Sequence, residues 1–562
     1  MLYPQTNTYR QVCDLGGFWD FRFDPDDVGL SANWSFGFAD SQPIAVTASW
    51  NDQFAESRDN FSIGWYQTRF TVPQLWSGQR VFLRFDAVNY LADVWLNGDS
   101  LGGHEGGFLP FAFDITDRLK AGENRLVVRV DGDLAVDRVP PGKVGGAAWH
   151  TMNRVEYPDA NFGFFPYCGI HRPVMLYTAP PDAIQDVTVR TDIDGGNGLV
   201  QVTVECVGHV EQLRLTLSDD EHTLSLGSSP EYPVTLTIPD ARFWSPQDPH
   251  LYTLRVEALT SGSVVDEYTL NVGIRVIAVQ DGQVLLNGDP VRLVGFGRHE
   301  DFPVVGRGYL PALIVKDFAL MRWVGANSFR TAHYPYSEQT LDLADRLGFL
   351  IIDEMQAIGL FFREDGLERR AQLCDRYLRE LISRDKNHPS VILWCLANEP
   401  QSVNPEIGAE YWRDFSTALT RTYSHPAALD LFKSLADTAR ALDPTRLITM
   451  VGFVGAGEDS YQFMDIIGLN RYNGWYTQAG EIAKGVQSVA DELDLIYRKF
   501  GKPILLSEFG AEALPGHHAL PAEMYSEEYQ ADFLTAYIEM ARTKPFVIGE
   551  HIWNLTDFKV NQ

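Results

Sequence analysis

From Asn287-Gly288 onward the chain repeats one pattern, a short apolar run of strand length followed by a longer stretch with helical period. The strand candidates are 291–297, 326–331, 349–353, 391–397, 447–451, 465–469, 503–507 and 546–553. Amphipathic segments such as 311–324, 367–385, 427–441, 485–499 and 526–542 lie between them. A strand that is apolar throughout must be covered on both faces, and a parallel sheet flanked by helices does this. Eight such runs with intervening helices predict a (β/α)8 TIM barrel over residues 278–562. In that architecture chemistry gathers at the C-terminal ends of the strands, so polar residues that close an apolar run become the candidates.

The chain ahead of the barrel reads as β throughout. Residues 1–180 carry short alternating or apolar runs such as Phe18-Trp-Asp-Phe-Arg-Phe23, Val81-Phe-Leu-Arg-Phe85 and Leu126-Val-Val-Arg-Val130. Asn97-Gly98 falls between two such runs and predicts a type I′ hairpin turn. This pattern suits a jelly-roll β-sandwich. Residues 181–277 keep a period of two in Asp186-Val-Thr-Val-Arg190, Gln212-Leu-Arg-Leu-Thr-Leu217 and Leu251-Tyr-Thr-Leu-Arg-Val256, which suits an immunoglobulin-like β-sandwich. A length of 562 residues agrees with several domains rather than one core.

Charge narrows the partners. A net charge of −29 opposes binding to nucleic acid or to anionic membrane surfaces. The five cysteines are scattered without CxxC spacing, so neither a disulfide framework nor a zinc site is expected, and no metal or organic cofactor is implied. The first ten residues carry no apolar signal-peptide core, and no apolar run is long enough to span a bilayer. These features set the expectation of a cytoplasmic protein.

Two glutamates stand out. Val391-Ile-Leu-Trp-Cys-Leu-Ala397 runs into Asn398-Glu399-Pro400, and Pro503-Ile-Leu-Leu-Ser507 runs into Glu508-Phe509-Gly510. An acid at the end of a buried strand is costly unless it has partners or work to do. The bland alternative for each is a salt-bridged loop acid. Two on the ends of strands four and seven predict a carboxylate pair of the kind that cleaves glycosidic bonds. One must stay protonated to protonate the leaving oxygen while the other, ionised, attacks the anomeric carbon. Asn398 offers an amide donor for a sugar 2-hydroxyl. At the same rim His333, Tyr472, Tyr476 and Trp553 supply the aromatic platforms and hydroxyl partners that sugars need. Arg298, Glu300, Asp353, Glu354 and Arg471 read instead as an ion network under the site.

Several of these stretches belong to a recognisable set. Leu15-Gly-Gly-Phe-Trp-Asp20, Asn51-Asp-Gln-Phe54, Leu83-Arg-Phe-Asp-Ala87, Gly169-Ile-His-Arg172, Gly295-Phe-Gly-Arg-His-Glu-Asp301, Arg384-Asp-Lys-Asn-His-Pro-Ser390, Gly468-Leu-Asn-Arg-Tyr472, Tyr525-Ser-Glu-Glu-Tyr529 and Trp553-Asn554 run through the whole chain. With them the chain resembles glycoside hydrolase family 2, closest to the β-glucuronidases within it. The resemblance implies a jelly-roll, an immunoglobulin-like domain and a barrel. It implies retaining hydrolysis of terminal β-D-glucuronides, with Glu399 as acid/base and Glu508 as nucleophile, in a homodimer or homotetramer. In that family an aspartate before the Gly169–Arg172 stretch contacts a sugar hydroxyl. Counting without a gap puts Gly163 there, with Asn161 or Asp159 as the stand-in if the loop is reshaped. Gly163 therefore keeps a β-galacturonidase or β-galactosidase open as the alternative. A carbohydrate-binding protein without catalysis is the alternative outside the enzyme class. The family's Asn-x-Lys reader of the substrate carboxylate, and the last barrel helix, are expected beyond Gln562. The stretch 402–427 is expected to border the entrance.

Overall fold

A computed structural model describes residues 1–142, 160, 162–219, 222–229, 233–362, 365–403, 419 and 421–560. Its centre is a closed barrel of eight parallel strands. They are β1 (Leu293–Gly297), β2 (Ser328–Arg330), β3 (Leu350–Glu354), β4 (Val391–Asn398), β5 (Leu447–Gly452), β6 (Ile466–Asn470), β7 (Ile504–Phe509) and β8 (Val547–Ile552). The last strand closes on the first in parallel register, with Leu293 opposite Gly549 and Gly295 opposite His551. Successive side chains point to opposite faces, and the cores follow that rule. Leu350, Ile352, Leu393, Cys395, Ile466 and Leu505 share one cluster inside the barrel. Ile351, Trp394, Leu396, Ile467 and Leu506 belong to another, packed outward with the helices. Trp244 and the ribbon residues Ile277, Val284 and Leu286 join the interior cluster. The barrel is thereby plugged at one end, and polar groups collect at the other.

The flanking helices are α1 (Pro311–Trp323), α2 (Glu338–Leu347), α3 (Leu367–Asp385), α4 (Pro426–Leu442), α5 (Ile482–Phe500) and α6 (Glu527–Arg542). The short helix α2 is additional to the segments expected from sequence. Ser337 caps it by accepting from the Thr340 N–H, and Gly348 ends it in the left-handed region at φ +75°. Between β5 and β6 lie only the 3-10 turns Gly455–Gly457 and Asp459–Phe463. After β8 the described chain crosses to the N-terminal domain, where Val560 pairs with Phe164.

The N-terminal domain packs a six-stranded sheet on a four-stranded one around a core that includes Trp19, Phe21, Trp50, Leu83, Phe85, Val94 and Val128. Its Asn97-Gly98 turn has φ of +58° and +93°, as a type I′ hairpin requires. The second domain packs a three-stranded sheet on a four-stranded one, with Val187, Val202, Leu215, Leu254 and Val256 between them. No helix among the described residues is long and apolar enough to cross a membrane.

One contact between the first domain and the barrel bears on the site. Arg307, buried after β1, lies 4.2 to 5.6 Å from the ring centres of Phe108, Phe164, Tyr167 and Tyr334. Three of those rings come from the N-terminal domain and one from the barrel. A guanidinium among aromatic faces is an attractive contact that needs no exposed charge. It fixes the 162–167 segment over the open end of the barrel.

Strand β1 leaves no room for a side chain where it meets β2 and β8. A Cβ at Gly295 would lie 1.8 Å from the Ser328 carbonyl oxygen, and one at Gly549 would lie 2.1 Å from that of Leu293. These neighbours are backbone and cannot rotate away. Gly295→Ala is expected to cost about 1–3 kcal/mol by overpacking, seen as a lower melting temperature, whereas Gly288→Ala, in open space, stays behind only by its positive-φ strain.

Candidate active site

Six strands deliver a candidate side chain to one end of the barrel. Arg330 is the last residue of β2, Glu354 of β3, Asn398 of β4 and Asn470 of β6. Glu399 follows β4, and Glu508 is the penultimate residue of β7, opposite Asn470 in the ladder. Trp553 follows β8. Each lies where an apolar run stops, because the barrel interior below is filled with aliphatic side chains.

Arg330 is the hub. It is fully buried, and its guanidinium bonds to Glu354 Oε2 and Glu508 Oε1. It also reaches Asn398 Oδ1 at 3.3 Å. His333 Nδ1 lies 2.9 Å from Glu354 Oε1 and 3.2 Å from Arg330 Nη1. The His333 ring stacks on Trp553 with centroids 5.0 Å apart, and Nε2 is 3.7 Å from Glu508. Burial holds this imidazole below its usual range, against the pull of Glu354.

The two strand-end glutamates have different donors. Glu508 accepts from Arg330 and from Tyr472 Oη at 2.6 Å. Glu399 accepts from the Asn470 amide at 2.8 Å. Burial pushes the Glu508 carboxyl up to about 8, opposed by Arg330 and Tyr472 and reinforced by the charge of Glu399. Burial also raises Glu399. Taken singly, these shifts would put a proton on Glu508. The pair titrates together, however. A proton on Glu399 removes the repulsion felt by Glu508, and a guanidinium and a phenol then hold Glu508 ionised. A proton on Glu508 would leave both donors facing a neutral acid and an ionised Glu399 with only an amide. The donor arrangement therefore favours a protonated Glu399 beside an ionised Glu508.

Other expected residues fall around this pair. The Asn398 oxygen is taken by Arg330 and by Asn470, each at 3.3 Å, which leaves its Nδ2 for another partner. Tyr472 touches Glu508 directly, and its ring is 5.2 Å from that of Tyr476, which is exposed. Gly163 is exposed with open space where a Cβ would be, next to Phe164, whose ring lies 6.3 Å from His333. Asn161 and Asp159 lie outside the described residues. The ion network takes shape as Arg298 with Asp317, Glu300 with Arg172, and Arg471 with Glu492. Thr331 donates to Asp353 at 3.2 Å. Glu354 differs from the rest of that group, because it shares Arg330 with Glu508 and so belongs to the site itself.

Sequence reasoning had not singled out Arg330 or Asn470 as partners of the two glutamates. A signal was present for Asn470, the polar residue that ends the apolar run Ile467-Gly-Leu469, but not for Arg330, whose strand Ser328-Phe-Arg330 has a single apolar residue. Phe164 gave none, since only folding brings it to His333.

The same arrangement of domains recurs in known proteins. Residues 12–180, 182–275 and 277–562 match, in turn, the sugar-binding domain, the family 2 model and the TIM-barrel domain of glycosyl hydrolases family 2. The chain belongs to glycosyl hydrolase family 2. A β-glucuronidase of Paenibacillus borealis is 39% identical over all of this chain and 93% of its own length. One from Sus scrofa is 36% identical over all of this chain and 87% of its own. Among solved structures, a β-glucuronidase from an uncultured Clostridium superposes with a TM-score of 0.90 at 36% identity, covering 100% of this chain and 94% of that one. A Ruminococcus gnavus β-glucuronidase in complex with D-glucuronic acid gives 0.90 at 32% identity with the same coverage. As a family 2 member the protein is a glycoside hydrolase.

The charge hub makes a pH-dependent prediction. Burial raises Glu354, and Arg330 and His333 more than reverse it, so its carboxyl is held below the usual range. That ion pairing adds stability above the unfolded carboxylate pKa and loses it as pH falls. In Arg330→Met both carboxylates are buried without their cation, at a cost of about 3–5 kcal/mol near pH 7. Acid relieves the cost by protonating them. Melting temperature should therefore fall more, relative to the parent, at pH 7 than at pH 5; an equal drop at both would contradict the assigned charges.

Proposed function

We propose that the protein is a retaining exo-β-glycosidase that hydrolyses terminal β-D-glucuronides by double displacement, with Glu508 as nucleophile and Glu399 as acid/base. The observation that carries this reading is the unequal equipment of the two carboxyls, a guanidinium and a phenol on Glu508 against an amide on Glu399. Glu508 attacks the anomeric carbon as Glu399 passes its proton to the departing oxygen. A glycosyl ester forms on Glu508, whose negative charge is thereby lost. Glu399, now ionised, takes a proton from water, and the resulting hydroxyl attacks the same carbon to free Glu508. Asn398 Nδ2 is the donor for the sugar 2-hydroxyl, and Trp553, Tyr472 and Tyr476 bound the sugar's faces and edges. His333 holds Glu354 and the Trp553 ring in place against it. No step calls for a metal or an organic cofactor.

The sugar is inferred from the relatives, named as β-glucuronidases along the full length of this chain. Arg330 is committed to Glu354 and Glu508 and is not the group that reads a uronate carboxylate. A second reading, β-galacturonidase or β-galactosidase, is favoured by Gly163, which brings no hydroxyl partner to the position the resemblance gives to an aspartate. A cytoplasmic setting is supported by five free cysteines. Assembly as a homodimer or homotetramer is supported by the family resemblance alone.

Matched aryl β-glucuronide, β-galacturonide and β-galactoside substrates separate the sugar readings. The glucuronide is expected to be turned over best by about two orders of magnitude or more, since a site built to bond a sugar group discriminates strongly against its absence. A galactoside preference of that size would remove the uronidase assignment. Proton NMR of the glucuronide reaction should show the β-anomer of the free sugar first.

Glu508→Gln removes the nucleophile while keeping an acceptor for Arg330 and Tyr472. Turnover is expected to fall by about 10³-fold or more, as for loss of an essential nucleophile, with substrate binding retained. Binding with no turnover in the parent protein would support the non-catalytic alternative.

A further inference from the structure

Glu399 has φ +47°, a left-handed backbone conformation that L residues seldom adopt. Such a conformation persists where the surroundings over-determine it. The turn that carries Glu399 is pinned at three successive points. The Glu399 N–H donates to the Val451 carbonyl of β5 at 2.8 Å, and the Gln401 N–H to that of Leu360 at 2.7 Å. Ser402 Oγ then donates to Glu458 Oε2.

The first and third of these pins share a base. Val451 lies in β5, and Glu458 lies in the turn directly after it. Glu458 is fully buried, and its second oxygen accepts from Ser424 Oγ at 3.3 Å and from the Ser460 N–H at 3.1 Å. Neighbouring Asp459 accepts the backbone N–H groups of Tyr423 at 2.7 Å and Ser424 at 3.1 Å, and pairs with Lys499 at 2.6 Å. The chain leaving Glu399 and the chain returning before α4 are therefore tied to one acidic turn, and the His425 N–H closes them together on the Ser402 carbonyl at 2.6 Å. Lys499 serves Asp459, and among the described residues no ion pair reaches Glu458. A buried carboxyl without a cation is a costly way to close a loop. Of its donors, Ser402 comes from the turn that follows Glu399, Ser424 from the chain returning before α4 and Ser460 from its own turn.

We propose that Glu458, acting through Ser402, is a positioning residue for Glu399. It holds the 399–402 turn so that the Glu399 carboxyl meets the leaving oxygen. Burial and Asp459 push the Glu458 carboxyl up to about 7, and its hydrogen bonds to Ser402, Ser424 and Ser460 fix its orientation. This role rests on the assignment of Glu399 as acid/base.

The test uses two β-glucuronides, one with an activated nitrophenol and one with an alkyl alcohol as leaving group. An activated leaving group needs little protonation, whereas an alkoxide needs it fully, so in kcat/KM, which reports the step up to the glycosyl ester and not the later attack of water, misplacing the acid harms only the second. Ser402→Ala and Glu458→Ala are expected to lose about 10–100-fold in kcat/KM on the alkyl substrate and less than about twofold on the aryl one. Glu458→Gln, which keeps an acceptor for Ser402, should restore most of the alkyl activity. Equal losses on both substrates, no loss on either, or a glutamine variant no better than alanine would overturn the proposal. Glu399→Gln provides the reference. If it shows the leaving-group dependence and Ser402→Ala does not, the positioning role fails alone. If Glu399→Gln shows none, the acid/base assignment fails and this role with it.

Discussion

A single buried guanidinium, that of Arg330, sets the charge of the whole site. It lies where β2 ends and touches side chains from β3, β4 and β7. A positive charge in that position is tolerable only with negative partners, and two carboxylates near each other are tolerable only with a positive one. Glu354 and Glu508 satisfy Arg330 together, and their charges are mutually dependent through it. The neighbouring Glu399 feels this cation only at a distance, without a bond to it, and has an amide as its donor. Two glutamates that look alike in sequence are thus pushed toward opposite protonation states by one arginine and one tyrosine.

The rest of the fold serves to hold that group in place. Alternation of side chains along the strands fills the barrel interior with aliphatic residues up to the level of the hub. Charge then appears at the first level where the filling stops. Trp244 and the 277–290 ribbon plug the far end, so the near end alone is left for a ligand. The N-terminal domain covers part of that end. Its Phe164 faces His299 and His333, and Arg307 fixes it through four rings from two domains. Catalytic placement is therefore shared by parts of the chain that contact each other only after folding.

Architecture was legible because it depends on local pattern. The strand-length segments between helical stretches mark the eight barrel strands within a residue or two, most of them as apolar runs, and Asn97-Gly98 marks its hairpin through the φ > 0 that those residues tolerate. Helix α2 escaped because it is only ten residues long and follows a proline-bearing loop, so its period is brief. The two glutamates were legible for a related reason: an acid that ends a buried strand contradicts its surroundings unless it has a function. Their partners were less so. Asn470 and Arg330 end strands too, but a terminal Asn or Arg is unremarkable in a sequence, and nothing local says which acid each will meet.

What the sequence determined by itself was the set of strands, their order, and the placing of Glu399 and Glu508 at the same end of a barrel. Period and chain order settle those, since both are properties of neighbouring residues. What the tertiary structure decided was the difference between the two acids, the commitment of Arg330 to Glu354 and Glu508, and the anchoring of the Glu399 turn on Glu458. These depend on distances between residues far apart in the chain. Burial, which turns such distances into shifts of charge, exists only once the domains have packed.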